Sequence, residues 1–161
     1  SVRWCPVELG RFRVGLRVDD VVGAANFYRG LGFEDVAAVP GPDGNPVMIM
    51  LQREGAMLIV DALEGMPFAA TARDERVKAG PRGLGVAIGL GVDDLDAAYA
   101  WCTESSCEIT SEPQVEPYGD RVFECIDPYG YVWEISQPVS AVSVDDAVDG
   151  VRNEWFGPES R

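Results

Sequence analysis

The 161-residue chain contains no histidine. This removes the commonest metal ligand and general base, so any metal must rest on carboxylates or thiolates. No apolar run approaches the ~20 residues that a membrane span requires. The start, Ser1-Val2-Arg3-Trp4-Cys5-Pro6, does not read as a signal peptide. The expected setting is therefore cytoplasmic, with no membrane partner. Basic residues are few: 13 Lys and Arg against 27 Asp and Glu, a net charge of −14. A nucleic-acid partner is excluded on that ground, because phosphates need a basic surface. The acidic excess suits solubility, and it would attract small cations. The four cysteines, Cys5, Cys102, Cys107 and Cys125, include no Cys-x-x-Cys pair. They are read as a reduced set, although four can make two bridges. Cys125 is either a small apolar strand residue or a reactive thiol.

What is present is a globular composition, 47% hydrophobic, of a length that suits one compact domain or two small modules sharing a core. Arg11–Val18 alternates, with Phe12, Val14, Leu16 and Val18 on one face, as in a half-buried strand. Asp19-Asp20 caps a helix over Val21–Leu31, and Gly32 stops it. Phe33–Val39 is a short strand, and Val47–Leu51 with Ala56–Ala62 forms a hairpin. Residues 66–83 read as a loop-like connector. The pattern then restarts: strand Leu84–Val92, a helix capped by Asp93-Asp94, a short strand Glu108–Thr110, a loop Ser111–Gly119, and a hairpin over Asp120–Ser136. In that hairpin Asp127-Pro128-Tyr129-Gly130 suits a type I turn. Pairing Ile126 with Tyr131 would put Arg121, Phe123, Cys125, Val132, Glu134 and Ser136 on one face and Trp133 and Ile135 on the helix-packed one.

An internal repeat organises these elements. Leu16-Arg17-Val18-Asp19-Asp20 recurs as Leu90-Gly91-Val92-Asp93-Asp94, 74 residues on, and Gly55 matches Gly130, 75 residues on. The expected fold class is α+β, with two β-α-β-β-β modules over 11–65 and 84–137 that should pair, because neither should bury both faces of its sheet alone. Residues 138–161 form an extension, helical from Val144 behind a Ser143 cap, with Ala147, Val148, Val151 and Trp155 on one side.

Two such units, with Leu-x-Val-x-Asp leading into a helix bearing Phe27-Tyr28, then Leu31-Gly32-Phe33, then Asp-Pro-x-Gly-x-x-x-Glu near the end, resemble the vicinal oxygen chelate superfamily. That superfamily includes glyoxalase I, bleomycin-resistance proteins and extradiol dioxygenases. The resemblance covers roughly residues 11–137 and implies a cavity between curled sheets, commonly in a homodimer. In its metalloenzymes four cavity-facing side chains hold a divalent ion. Those positions fall here on Arg13, Ile59, Ala87 and Glu134, and only Glu134 can bind a metal. No metal and no cofactor is therefore expected.

Ala87, Gly89 and Gly91 would leave room on one side of the cavity. Met48, Met50, Met57, Ile59 and Asp61 would line the other, the methionines as adaptable apolar surface or as ordinary core. Tyr118 and Phe123 would supply aromatic walls, Trp4 a rim, and Arg13, Arg17, Arg121, Asp61 and Glu134 charge. An Arg13–Glu134 pair would stand where relatives hold the ion. The expected function is metal-independent binding of a small molecule, an antibiotic or similar planar, hydrophobic ligand, as in the drug-sequestering branch. The alternative is a lyase, isomerase or dioxygenase acting on a small metabolite. It would use Glu134 as base or residual metal ligand, with Arg13 or Arg121 as oxyanion partner. A third reading is a partner domain contacting others through Trp155-Phe156.

Overall fold

The computed structural model describes residues 12–66 and 72–158. Trp4, Cys5 and Arg11 lie outside them. The chain divides into two compact units, Ser1–Pro81 and Arg82–Arg161.

The first unit runs β1 (Arg13–Val18), α1 (Val21–Gly30), β2 (Glu34–Pro40), β3 (Pro46–Arg53), β4 (Ala56–Ala62) and α2 (Ala72–Ala79). The second runs β5 (Gly83–Gly91), α3 (Leu95–Glu104), β6 (Glu108–Val115), β7 (Asp120–Ile126), β8 (Tyr131–Pro138) and α4 (Val144–Phe156). The repeat in the sequence is a repeat in topology. The sheets are ordered β1-β4-β3-β2 and β5-β8-β7-β6, each with one parallel pair and two antiparallel pairs. Gly15 pairs with Ile59 in the first sheet, and Gly89 with Glu134 in the second.

Equivalent caps start the two helices that cover these sheets. Asp20 accepts a hydrogen bond from the Gly23 amide at 2.8 Å, and Asp94 from the Ala97 amide at 3.0 Å. Val21, Ala24, Ala25, Phe27 and Tyr28 of α1 are buried, as are Leu95, Ala98 and Cys102 of α3. Their partners are the inward faces of the sheets: Leu16, Val18, Leu58 and Val60 in the first unit, and Phe123, Cys125, Trp133 and Ile135 in the second.

Within the stretch expected to be loop-like, residues 72–79 form α2. Its sequence, Ala-Arg-Asp-Glu-Arg-Val-Lys-Ala, has no apolar stripe, so periodicity gives no sign of it. Ion pairs hold it. Asp74, 3% exposed, takes Arg17 at 2.9 Å and Lys78 at 3.0 Å, while Arg17 also donates to the Ala62 and Leu63 carbonyls. Arg17, expected to bring charge to the cavity, is thus committed to anchoring α2. The hydrogen bond from Lys78, followed by that from Arg17, holds the Asp74 carboxyl below the usual carboxylate range despite its burial. A depressed carboxylate stabilises the fold above its unfolded pKa of about 4, and that contribution fades as pH falls through the folded value. Asp74→Asn should therefore lower stability at pH 7 and narrow the gap between neutral and acidic pH. Urea unfolding at both pH values checks this; an unchanged pH dependence would count against the role given to Asp74.

Candidate ligand-binding site

The β7–β8 hairpin sets the site, and its register differs by one residue from the expected one. Asp127, not Ile126, closes the turn opposite Tyr131: the Asp127 amide donates to the Tyr131 carbonyl at 2.8 Å. Gly130 donates back to Asp127 at 3.1 Å with a φ of 95°, so a type I turn is followed by a left-handed residue. This three-residue loop shifts the pairing relative to a simple four-residue turn. Phe123 then opposes Ile135, Cys125 opposes Trp133, and Glu124 opposes Glu134.

The slip carries all of β7 to the other face. Phe123 is 0% exposed and turns its ring to the helix side, edge-on against Tyr99 of α3 with ring centroids 5.3 Å apart, yet it remains among the residues that line the cavity at one end of the open sheet face. Arg121 turns the same way and pairs with Asp96 of α3 at 2.8 Å, away from Glu134. Val122 and Glu124 take the places expected for Phe123 and Cys125. Cys125, fully buried, is on the helix side with Trp133.

The open face of the second sheet therefore carries Ala87, Gly89 and Gly91 of β5, Val132, Glu134 and Ser136 of β8, and Val122, Glu124 and Ile126 of β7. Nothing lies within 4 Å of where a Cβ on Gly89 would sit, so room exists beside Glu134. One end of this face forms a cavity of about 310 Å³. Its floor is Val122, Phe123, Glu124 and Glu134; one wall is Ser111, Gln114, Glu116 and Tyr118; Val151, Glu154 and Trp155 of α4 form the other. The β6 wall exists because the strand continues past Thr110, with register shifts around Ser111 that re-aim its side chains.

The cavity is acidic. Glu116, Glu124, Glu134 and Glu154 line it, and among the described residues no Lys or Arg does. Glu124 accepts from Thr110 at 2.7 Å and Glu116 from Gln114 at 2.8 Å. Burial first, and then the charges of Glu116, Glu134, Asp120 and Glu154, raise the Tyr118 pKa above the ordinary phenol value. Tyr118 remains 42% exposed and Trp155 70%, so both rings are available for stacking.

α4 reaches the cavity through a close approach at Gly150. A Cβ there would stand 2.6 Å from the Pro117 side chain. Gly150→Leu should lift α4 from the β6–β7 loop and weaken ligand binding several-fold, while the sheet core stays folded. Circular dichroism combined with titration calorimetry checks this.

In the first unit, Arg13, Arg17, Met48, Met50, Met57, Ile59 and Asp61 share the sheet face away from α1. Arg13 is exposed, Met48, Met50 and Ile59 are half-buried, and Met57 is 4% exposed. One Asp61 carboxylate oxygen is buried without a hydrogen bond, and burial raises its pKa against the pull of Arg17. Among the four positions that would ligate a divalent ion, Glu134 alone carries a donor. Zinc takes about four ligands and magnesium about six, so these residues do not fit such an ion.

Two β-α-β-β-β units, each with helix on one sheet face and an open second face, define a duplicated α+β class. The chain belongs to the Glyoxalase/Bleomycin resistance protein/Dioxygenase superfamily, whose model matches residues 10–135. It is 28% identical over 135 residues to the uncharacterized protein Rv0887c of Mycobacterium tuberculosis, covering 81% of this chain and 76% of that protein. A glyoxalase/bleomycin resistance protein/dioxygenase family enzyme from Burkholderia phytofirmans superposes with a TM-score of 0.63 at 17% identity, over 79% of this chain and 97% of the other. TnmS3, an antibiotic binding protein from Streptomyces sp. CB03234, superposes with a TM-score of 0.51 at 26% identity, over 78% and 93%. No helix among the described residues is long and apolar enough to cross a membrane.

The expectations missed Ser111, Gln114, Glu116, Val122, Glu124, Val151, Glu154 and Trp155 as site residues, and held Tyr118, Phe123 and Glu134. Glu124 needed only the correct register. The α4 residues carried an amphipathic signal, but nothing in it said which surface α4 would meet.

Proposed function

We propose that this protein binds a small cationic molecule with a planar apolar portion in the acidic cavity of its second unit, and holds it without turnover or metal. The observation that carries this reading is the cavity itself: about 310 Å³, four carboxylates, no lining cation among the described residues, and two exposed aromatic rings. Carboxylates in a partly enclosed site attract a cation, and the rings stack on a planar group. The antibiotic-binding description of TnmS3 supports antibiotics as the ligand class, with sequestration by mass action as the effect. Ala87 and Gly89 are proposed as further ligand-facing positions on the same sheet, Arg13, Met48, Met50, Met57 and Ile59 as ligand-facing positions on the first unit's own sheet, and a homodimer as the working state.

Titration calorimetry against cationic aromatic antibiotics, with neutral and anionic aromatic compounds as controls, tests the proposal. Binding confined to the cations, weakening with added salt, is the expected result. A flat titration across all three sets would overturn it. The placement of Arg121 on the α3 side removes one of the two oxyanion partners, Arg13 or Arg121, that the catalytic alternative named for Glu134.

A further inference from the structure

We propose that Cys102, Cys107 and Cys125 form a trigonal site for a soft monovalent cation, Cu(I), on the face of the second sheet opposite the acidic cavity. The three Sγ atoms lie within 4.8 Å of one another, the one such group of three His, Cys, Asp or Glu donors among the described residues. The sequence separates them, and the fold gathers them. Cys102 ends the buried stripe of α3. Ser106, with a φ of 64°, then reverses the chain so that the Cys107 amide donates to the Cys102 carbonyl at 3.0 Å. Cys125 comes from β7, whose true register turns it towards α3.

The donor set selects the ion. Thiolates are soft ligands, and they favour Cu(I) or zinc over magnesium, calcium or manganese. Zinc in a closed site takes four ligands in a tetrahedron. Among the described residues no fourth His, Cys, Asp or Glu donor joins the group: the chain has no histidine, and the Asp127 carboxylate already accepts from two backbone amides and the Trp133 indole. Three sulfurs around one ion at ~2.3 Å would stand about 4.0 Å apart, a spacing that falls inside the 4.8 Å bounding the group. Cys102 and Cys125 are 0% exposed, which shields the centre from water, while half-buried Cys107 gives the ion its way in. On binding, thiol protons leave to solvent and no electron is transferred, so affinity should rise with pH.

The test uses the whole protein, reduced and kept anaerobic, titrated with Cu(I) in competition with a Cu(I) chelator. One equivalent bound, seen by native mass spectrometry, with three sulfurs in the copper X-ray absorption spectrum, is the expected result. Cys107→Ser, at the half-exposed position, should lower affinity by more than the roughly 10–100-fold that outer-shell changes produce. Cys5→Ser should leave stoichiometry unchanged. Circular dichroism of the apo variants separates loss of the site from loss of fold, and the wild-type spectrum decides even where a variant fails to fold. No copper bound, a copper centre with fewer than three sulfurs, or zinc bound in preference to Cu(I) would each overturn the proposal. So would copper retained by Cys107→Ser at full affinity.

Discussion

Asp127→Ala should cost about 3–5 kcal/mol of stability, the largest single effect expected in the chain. The side chain is 3% exposed and fills three roles at once. Its Oδ1 accepts from the Tyr129 and Tyr131 amides at 2.9 and 3.0 Å, and its Oδ2 accepts from the Trp133 indole at 2.9 Å. Removing it would leave the Tyr131 amide and the Trp133 indole as buried donors without this acceptor, each costing about 1–3 kcal/mol. The turn geometry that sets the β7–β8 register would go with them. Against a typical total of about 5–15 kcal/mol, the second unit would sit near its unfolding threshold. Asp127→Asn separates the roles. Its carbonyl oxygen keeps the amide bonds, but its NH2 would confront the indole N–H, so roughly half the loss should remain. Urea unfolding of both variants, followed by tryptophan fluorescence, measures the difference. A loss below about 1 kcal/mol for the alanine variant would show that the hairpin does not rest on this residue.

That one side chain also explains where the sequence was legible and where it was not. The repeat was legible because it is written in local chemistry: an apolar strand ending in Asp-Asp, whose second Asp caps the next helix. The faces of β1, β4, β5 and β8 followed from alternation. The face of β7 did not, because a Gly in the left-handed conformation changes the loop by one residue, and alternation then inverts every assignment on that strand. Arg121 and the ring of Phe123 turned to the helix side for this reason, although Phe123 still lines the cavity, and Val122 and Glu124 came to the open face. Helix α2 was illegible because ion pairs with a distant strand hold it rather than an apolar stripe. The cysteine group was illegible because residues 102, 107 and 125 meet only when α3 packs on β7.

Glu134→Gln should weaken binding of a cationic ligand about tenfold or more while slightly stabilising the empty protein, and this pair of opposite signs is the sharpest test of the site. Glu134 and Glu124 are directly opposed across β7 and β8. Like charges in that arrangement are destabilising, and relieving one such pair is worth about 0.2–1 kcal/mol. A bound cation would convert the same repulsion into two favourable contacts, each of the kind worth about 1.5–3 kcal/mol when charge-assisted. Losing one such contact corresponds to roughly a tenfold to hundredfold rise in Kd. Glu134→Lys goes further in both directions: its ammonium can pair with Glu124 in the empty protein and occupy the place of the ligand, so stability should rise and binding should vanish. A structural role for Glu134 predicts the opposite sign for stability, because both variants would then unfold more easily. A catalytic role predicts a third pattern, in which Glu134→Gln retains affinity and loses turnover. Thermal melts with and without ligand, alongside calorimetry on the same preparations, distinguish the three. Unchanged affinity for a cationic ligand that the wild-type protein binds would place the ligand away from this pair of carboxylates.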